Sequence, residues 1–231
     1  GGKLTVNFTL GDTRGGFSNG QQNTQVVENG SFLTMPVPMI GYHSDAEISD
    51  DAERRRQKLA PKEQMPLPTA AGARDRSYLA AESDWVKFAC TVRTDADQIG
   101  VAPGYLEKEW DENGRRCFRY VMDTPIRYFF TVVSARYTKL EDTWTAPDGR
   151  KVALQVLYHA PHKWNIERMM AGMKASLAYC EANYTPYQYR QLRILEFPGY
   201  STFAQAFAGT VPYSESIGFI ADLRDAKKID Y

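Results

Sequence analysis

Residues 193–222 read RILEFPGYSTFAQAFAGTVPYSESIGFIAD, and their pattern, taken with the helix before them, sets the fold class. Gln191 to Phe197 is an apolar-rich run closed by Pro198 and Gly199, which predicts a strand; residues 216–221 predict a second strand after a long loop. Upstream, Ile166, Met169, Met170, Met173, Leu177 and Cys180 recur at spacings of three and four. That spacing makes one apolar stripe and predicts a helix over residues 165–182, with Asn165 as N-cap and Asn183 and Pro186 closing the far end. The methionines read as core packing rather than a ligand surface. A helix followed by strands breaks with the all-β pattern before it, so the chain divides near Pro161 into residues 1–160 and 161–231. The fold class is α+β, mainly β.

The first part carries the period-two alternation of half-buried strands. Leu4, Val6, Phe8 and Leu10 alternate with polar residues, and Val86, Phe88, Cys90 and Val92 do the same. Asn113-Gly114 predicts a tight hairpin between a strand over residues 105–110 and one over residues 116–122. Asp148-Gly149 predicts a second turn before Val152, Leu154, Val156 and Tyr158. Residues 128–137, YFFTVVSARY, are apolar on both faces, as in a strand buried between layers. Residues 45–76 are dense in charge, Ala and Pro and read as a surface excursion. Within them a short helix over residues 50–59 starts at Asp50 or Asp51 and stops before Pro61, with Arg54, Arg55 and Arg56 on a solvated face.

Lys plus Arg and Asp plus Glu both number 28, so the net charge is zero and no global field draws nucleic acid. No apolar run approaches the roughly 18 residues that cross a bilayer. The chain begins Gly1-Gly2-Lys3 and enters a strand-like pattern at once, as expected of a piece of a longer protein. Cys90, Cys117 and Cys180 form no C-x-x-C pair and read as free thiols, with a Cys90 to Cys117 bridge the minor alternative.

Candidate chemistry is sparse. His159-Ala-Pro-His162 has an H-x-x-H spacing, but Pro161 marks a strand-to-helix turn, which favours turn and cap hydrogen bonding over metal binding. His43 stands alone. Glu196 reads as a buried partner of Arg193 or Arg190. There is no G-x-S-x-G, no Cys–His pair and no phosphate loop, and the glycines over residues 11–20 open no helix. The sequons at Asn7, Asn29 and Asn183 are uninformative.

Residues 158–225, from YHAPHKWNIERMM through LRILEFPGY to TVPYSESIGFIADLRD, resemble the gluzincin aminopeptidases of the aminopeptidase N group. They are most similar to the bacterial branch in which a peptidase-like region follows an ABC-type transporter permease in one polypeptide. NTQVVENGSF (residues 23–32), ADQIGVAPGYL (96–106), ENGRR (112–116) and DTPIRYFFTVVSARY (123–137) look like the saddle-shaped β domain of that branch. The resemblance implies a saddle-like antiparallel domain over residues 1–160, then the first helix and strands of a thermolysin-like catalytic domain over 161–231. The zinc motif H-E-x-x-H would follow the last residue, so this stretch by itself holds no catalytic and no metal-binding residue, and zinc belongs to the intact protein.

In that family the motif G-A-M-E-N lies on an edge strand whose backbone pairs with peptide and whose Glu holds the free α-amino group. A fixed anion sets how far an N-terminal ammonium enters, which turns a peptide slot into an aminopeptidase site. The matching window is Pro212-Tyr213-Ser214-Glu215-Ser216, where only Glu215 is retained and Pro212 removes a backbone donor. Glu215 is then an amine ligand or a structural carboxylate. Gln205 and Tyr213 either line the same pocket or pack locally, with Gly218 beside them. The implied function is removal of N-terminal residues from peptides by the intact protein, the partners being a peptide and a membrane-embedded permease region. The implied location is a soluble, extracytoplasmic domain of a membrane-anchored bacterial protein. Two other readings compete: a non-catalytic, transporter-linked peptide-binding or assembly module, and a generic β-sandwich unrelated to peptidases.

Overall fold

The computed structural model describes residues 5–9, 26–27, 30–34, 36–37, 47–62, 67–73, 85–199 and 202–224. In chain order the elements are β1 (Val26–Val27), β2 (Gly30–Thr34), α1 (Asp51–Arg56), β3 (Trp85–Val86), β4 (Ala89–Asp95), β5 (Ile99–Val101), β6 (Tyr105–Glu112) and β7 (Arg115–Val121). They continue with β8 (Ile126–Arg127), β9 (Thr131–Ala135), β10 (Tyr137–Thr145), β11 (Lys151–His159), α2 (Ile166–Asn183), β12 (Gln191–Phe197) and β13 (Thr210–Ser214), followed by a π-helical turn, Glu215–Phe219. The chain is mainly β, with antiparallel pairing throughout the part before α2.

Both hairpin turns form where the sequence places them. Asn113 and Gly114 take φ of 53° and 73°, the paired positive values that suit a two-residue turn between twisted strands, and β6 and β7 pair across it. Gly149, at φ 87°, lies in the turn joining β10 to β11. The both-faces-apolar run becomes β9, the centre of the sheet β1-β2-β9-β5. Two expectations are corrected. Residues 5–9 form no strand and are exposed, whereas Leu4 and Leu10 lie outside the described residues, as do His43 and the glycines over 11–20. Arg54 is not on a solvated face: it is 6% exposed and donates to Glu47, Ile48 O and Ala60 O, tying α1 to its flanks, whereas Arg55 and Arg56 are exposed.

The cysteines are free. Cys90 pairs with Tyr120, and Cys117 with Arg93, so the two lie three positions apart in register on neighbouring strands. Three residues span roughly 10 Å and put the side chains on opposite faces, which excludes a disulfide.

The sheet that carries the site has the order β10-β11-β12-β13. β10 and β11 form a nine-pair antiparallel hairpin, and β11, β12 and β13 run parallel, with α2 as the crossover between β11 and β12. Pro161 lies between β11 and α2, and the strands on either side of it, β11 and β12, are hydrogen-bonded neighbours in one sheet.

Each face of this sheet has its own core. Val152, Leu154 and Val156 pack under Ile166, Met170, Met173 and Leu177 of α2, with Phe219 closing the cluster. Leu157 and Leu195 point the other way, against Phe32, Val101 and Val133. Fully burying a side chain of this size stabilises by roughly 1.5–3 kcal/mol, so these two clusters hold α2 and the antiparallel sheets to opposite faces. The predicted stripe is right except at its end, where Cys180 is exposed. Asn165 does not cap through its side chain; its amide donates instead to Gly218 O at 2.6 Å and Ala221 O at 2.9 Å.

Candidate functional site

Three parallel strands end side by side, and the chemistry-bearing residues sit at those ends. His159 closes β11, Glu196 is the penultimate residue of β12, and Glu215 follows β13 directly. The carboxyl ends of parallel strands are where open α/β sheets place ligands, because loops there diverge and leave a crevice. Pro161 makes the expected turn, His162 N donating to His159 O at 2.8 Å, and this carries the His162 ring back over the strand ends.

Glu196 is 5% exposed, yet both its oxygens are engaged. Oε2 accepts from His159 N at 2.6 Å, and Oε1 is in direct contact with His162 Nδ1. Burial pushes the Glu196 carboxyl above the usual range, His162 and the His159 N–H oppose this, and the nearby Glu215 charge adds to it. Glu215 accepts from Gly199 N at 2.7 Å through Oε1, and its Oε2 lies 3.8 Å from His162 Nδ1. His159 and His162 meet edge to face, with centroids 4.9 Å apart.

The pairing expected of Glu196 is therefore replaced. Arg193 is three residues away on the same strand and faces the opposite side, where it donates to Thr210 Oγ1 at 2.9 Å and Ala102 O at 2.7 Å. Arg190 pairs with Asp123 and lies over the Tyr105 ring.

Glu196 and Glu215 open into one small cavity of about 30 Å³, walled by Phe32, Tyr137, His159, Phe197 and Pro198. That volume admits one or two water-sized groups. Of the other residues singled out in the sequence, Gly218 and Tyr213 line a different cavity, beneath α2 with Met169 and Ile194. Gln205 stays local, its amide donating to Ala206 O.

The edge strand also differs from expectation. It is Thr210–Ser214, not residues 216–221, which form the π-helical turn and its exit. Its outer edge is already paired with residues 203–207: Gln205 N donates to Pro212 O at 3.1 Å and Ser214 N to Phe203 O at 3.0 Å. Phe203 anchors that segment against Phe32 and Phe197.

No family model matches this chain, and no curated protein does. Solved structures do. A mutant M1 zinc metallopeptidase from Deinococcus radiodurans, bound to a Tyr-Ser-Ala substrate, superposes with a TM-score of 0.51 at 14% identity, over 57% of this chain and 30% of that one. Aminopeptidase A from Legionella pneumophila, in complex with aspartic acid, gives a TM-score of 0.54 at 15% identity, over 58% of this chain and 16% of that one. The fold is that of the M1 zinc metallopeptidases. The chain spans less than a third of the length of these M1 structures.

M1 metallopeptidases carry zinc, so the donor set here can be tested for one. No H-E-x-x-H occurs in the sequence. Among the described residues the candidate grouping is His162, Glu196 and Glu215, whose donor atoms lie within 4.8 Å of one another. Zinc binds N and O donors at roughly 2.0–2.2 Å, which holds ligand atoms about 3 Å or more apart. His162 Nδ1 is in direct contact with Glu196. As the side chains lie, the grouping is hydrogen-bonded within itself rather than opened around an ion.

Proposed function

We propose that this chain forms the saddle-like β domain and the amine-recognition wall of a zinc aminopeptidase-type metallopeptidase, with Glu215 holding the free α-amino group of a peptide. The observation that carries the reading is the placement of Glu215, the residue matched to the exopeptidase motif, on a small cavity at the ends of three parallel strands. Gly199 N–H fixes one of its oxygens, and its side chain keeps 26% exposure, so the carboxylate is oriented and reachable. Zinc, general base and attacking water belong to other parts of the intact protein. Because β13 is paired along its outer edge, a peptide would enter by its amine end at the cavity rather than by adding a strand.

The test is binding of Ala-Ala-Ala and its N-acetylated form to the whole chain, followed by NMR. Saturable shifts with the free tripeptide, absent with the acetylated one and lost in Glu215→Gln, are the expected result. Equal binding of both peptides would overturn the reading.

The resemblance of residues 158–225 supports a further step: linkage to an ABC-type permease, with this domain on the extracytoplasmic side. Among the described residues no helix is long and apolar enough to cross a membrane, so the anchoring spans would lie elsewhere in the polypeptide. Protease added to intact spheroplasts should cleave this domain; cleavage only after lysis would place it inside. A second reading, a non-catalytic transporter-linked peptide-binding module, is favoured by the window around Glu215, where four of five motif positions differ. Peptidase assays on the intact protein separate the two.

A further inference from the structure

Arg193 carries a positive charge into the seam between two sheets, and among the described residues its hydrogen-bond partners there are neutral. Nη2 donates to Ala102 O at 2.7 Å and Gly104 O at 3.4 Å, and Nε and Nη2 share Thr210 Oγ1 at 3.2 and 2.9 Å. Nη1 takes part in none of these bonds. At 2% exposure the guanidinium is out of water, and burial pulls its pKa below the usual value. A buried cation among neutral dipoles regains only part of its hydration, and the remainder is a cost that an opposite charge would remove.

The guanidinium borders a cavity of about 50 Å³. One wall is the face of the site sheet turned away from α2, where Lys139 stands opposite Leu157 and Gln155 opposite Arg193, with Gln191 beside them. Glu109, Arg116 and the Tyr120 ring form the other wall, and the Tyr120 hydroxyl is committed to Gly100 O at 2.9 Å. Arg116 is paired with Glu109, Nε to Oε1 at 2.7 Å. Lys139 Nζ lies 3.5 Å from Glu141 Oε1, which also accepts the Gln155 amide at 2.6 Å. These two pairs neutralise the partly exposed cations and leave the deepest one, Arg193, over. The cavity therefore carries one positive charge in excess, in a space that admits a few water-sized groups. One charge and that volume suit a single small anion.

We propose that this cavity binds one monovalent anion of the halide class, held by Arg193 with Lys139 and the Gln191 amide, and that the ion ties the antiparallel sheets to the sheet that ends in Glu215. Nothing in this depends on the reading of Glu215, since Arg193 faces the other side of β12. An anion that binds only the folded chain stabilises it in proportion to the logarithm of its concentration above Kd, which gives the site a measurable signature.

The experiment uses the whole chain and chloride as the ion. Urea unfolding is followed at fixed ionic strength while gluconate, too large for the cavity, is exchanged for chloride, and ³⁵Cl NMR line width is measured on the same samples. The unfolding midpoint should rise with chloride, and the chloride line should broaden saturably and narrow again when bromide is added. Equal midpoints in chloride and gluconate would be general screening and overturn the proposal. Arg193→Met should abolish both effects, and broadening that persists in it places the ion elsewhere and overturns the proposal too.

Should Arg193→Met fail to fold, Lys139→Gln and Gln191→Leu decide. Lys139→Gln should weaken chloride by about threefold, the scale of an exposed ion pair, and Gln191→Leu by about threefold or more, the scale of one hydrogen bond. Unchanged chloride affinity in both variants overturns the assignment.

Discussion

The side-chain amide of Asn165 donates to the carbonyl of Gly218 at 2.6 Å, across 53 residues of sequence. A second hydrogen of the same amide reaches Ala221 O at 2.9 Å, so one buried side chain ties the start of α2 to the π-helical turn that begins at Glu215. Truncation in Asn165→Ala leaves two carbonyls without their donor and should lower stability by roughly 1–3 kcal/mol. Asn165→Asp keeps the shape but turns acceptors toward those carbonyls, and it should cost more than the alanine at neutral pH. Urea denaturation of both variants checks the order; an aspartate as stable as the native chain would show that the two hydrogen bonds contribute nothing.

Gly218 sits where the turn passes closest to β13 and α2. A Cβ there would lie 2.3 Å from Tyr213 Cε1 and 2.6 Å from Met169 Cε. Methionine can yield, but the tyrosine ring is packed against Phe219 and has less freedom. Gly218→Ala should therefore destabilise by about 1–3 kcal/mol through overpacking, and it should shift the Tyr213 ring resonances. An unchanged melting temperature would mean that the turn slides outward to accept the methyl group.

Local patterns were readable where the backbone chemistry is local. Asn113-Gly114 announces its turn because few other pairs accept two positive φ values. The α2 stripe announces its buried face because helical spacing is fixed. The sequence points past β13 for a physical reason: the strand contains Pro212, which argues against a strand, and the apolar residues lie after it. The strand tolerates proline because Pro212 presents its carbonyl, and hence its nitrogen, to the outer edge, where Gln205 N needs only that carbonyl. The site was half legible. Glu215 stands in a motif window, while Glu196 and His162 meet across 34 residues, a distance over which a single sequence carries no pairing signal.

Glu196 makes the stability of the chain depend on pH in a definite direction. Its carboxyl is raised in the folded state, first by burial, with His162 and the His159 N–H opposing. The folded chain then holds this proton at pH values where the unfolded chain has already released it. This group's contribution to stability is fully present below the ordinary glutamate pKa and is lost as pH rises through the raised folded value. Glu196→Gln removes the term. The stability of the native chain relative to that variant should fall across this window and level off above it, as measured by denaturant unfolding at a series of pH values. A difference that is flat with pH, or that rises, would mean that the folded carboxyl is not raised.

Arg193 joins the two halves of the chain through carbonyl, hydroxyl and ring partners. It is 2% exposed, and its guanidinium donates to Ala102 O, Gly104 O and Thr210 Oγ1 beside the Tyr120 ring. Burial pulls its pKa below the usual guanidinium value, with Tyr120 acting the other way. These donors connect β12 to the segment between β5 and β6, so they fix the antiparallel sheets against the sheet that carries the site. Arg193→Met keeps much of the volume and removes every donor. It should cost on the order of 3 kcal/mol, because the Ala102 and Gly104 carbonyls are left buried and unsatisfied. Arg193→Lys should recover only part of that, since a single ammonium cannot reproduce the planar fork. Amide hydrogen exchange distinguishes a joint from generic packing. Protection should fall first at residues 99–106 and 191–195 in the methionine variant, and a loss spread evenly over the chain would remove Arg193 from this role.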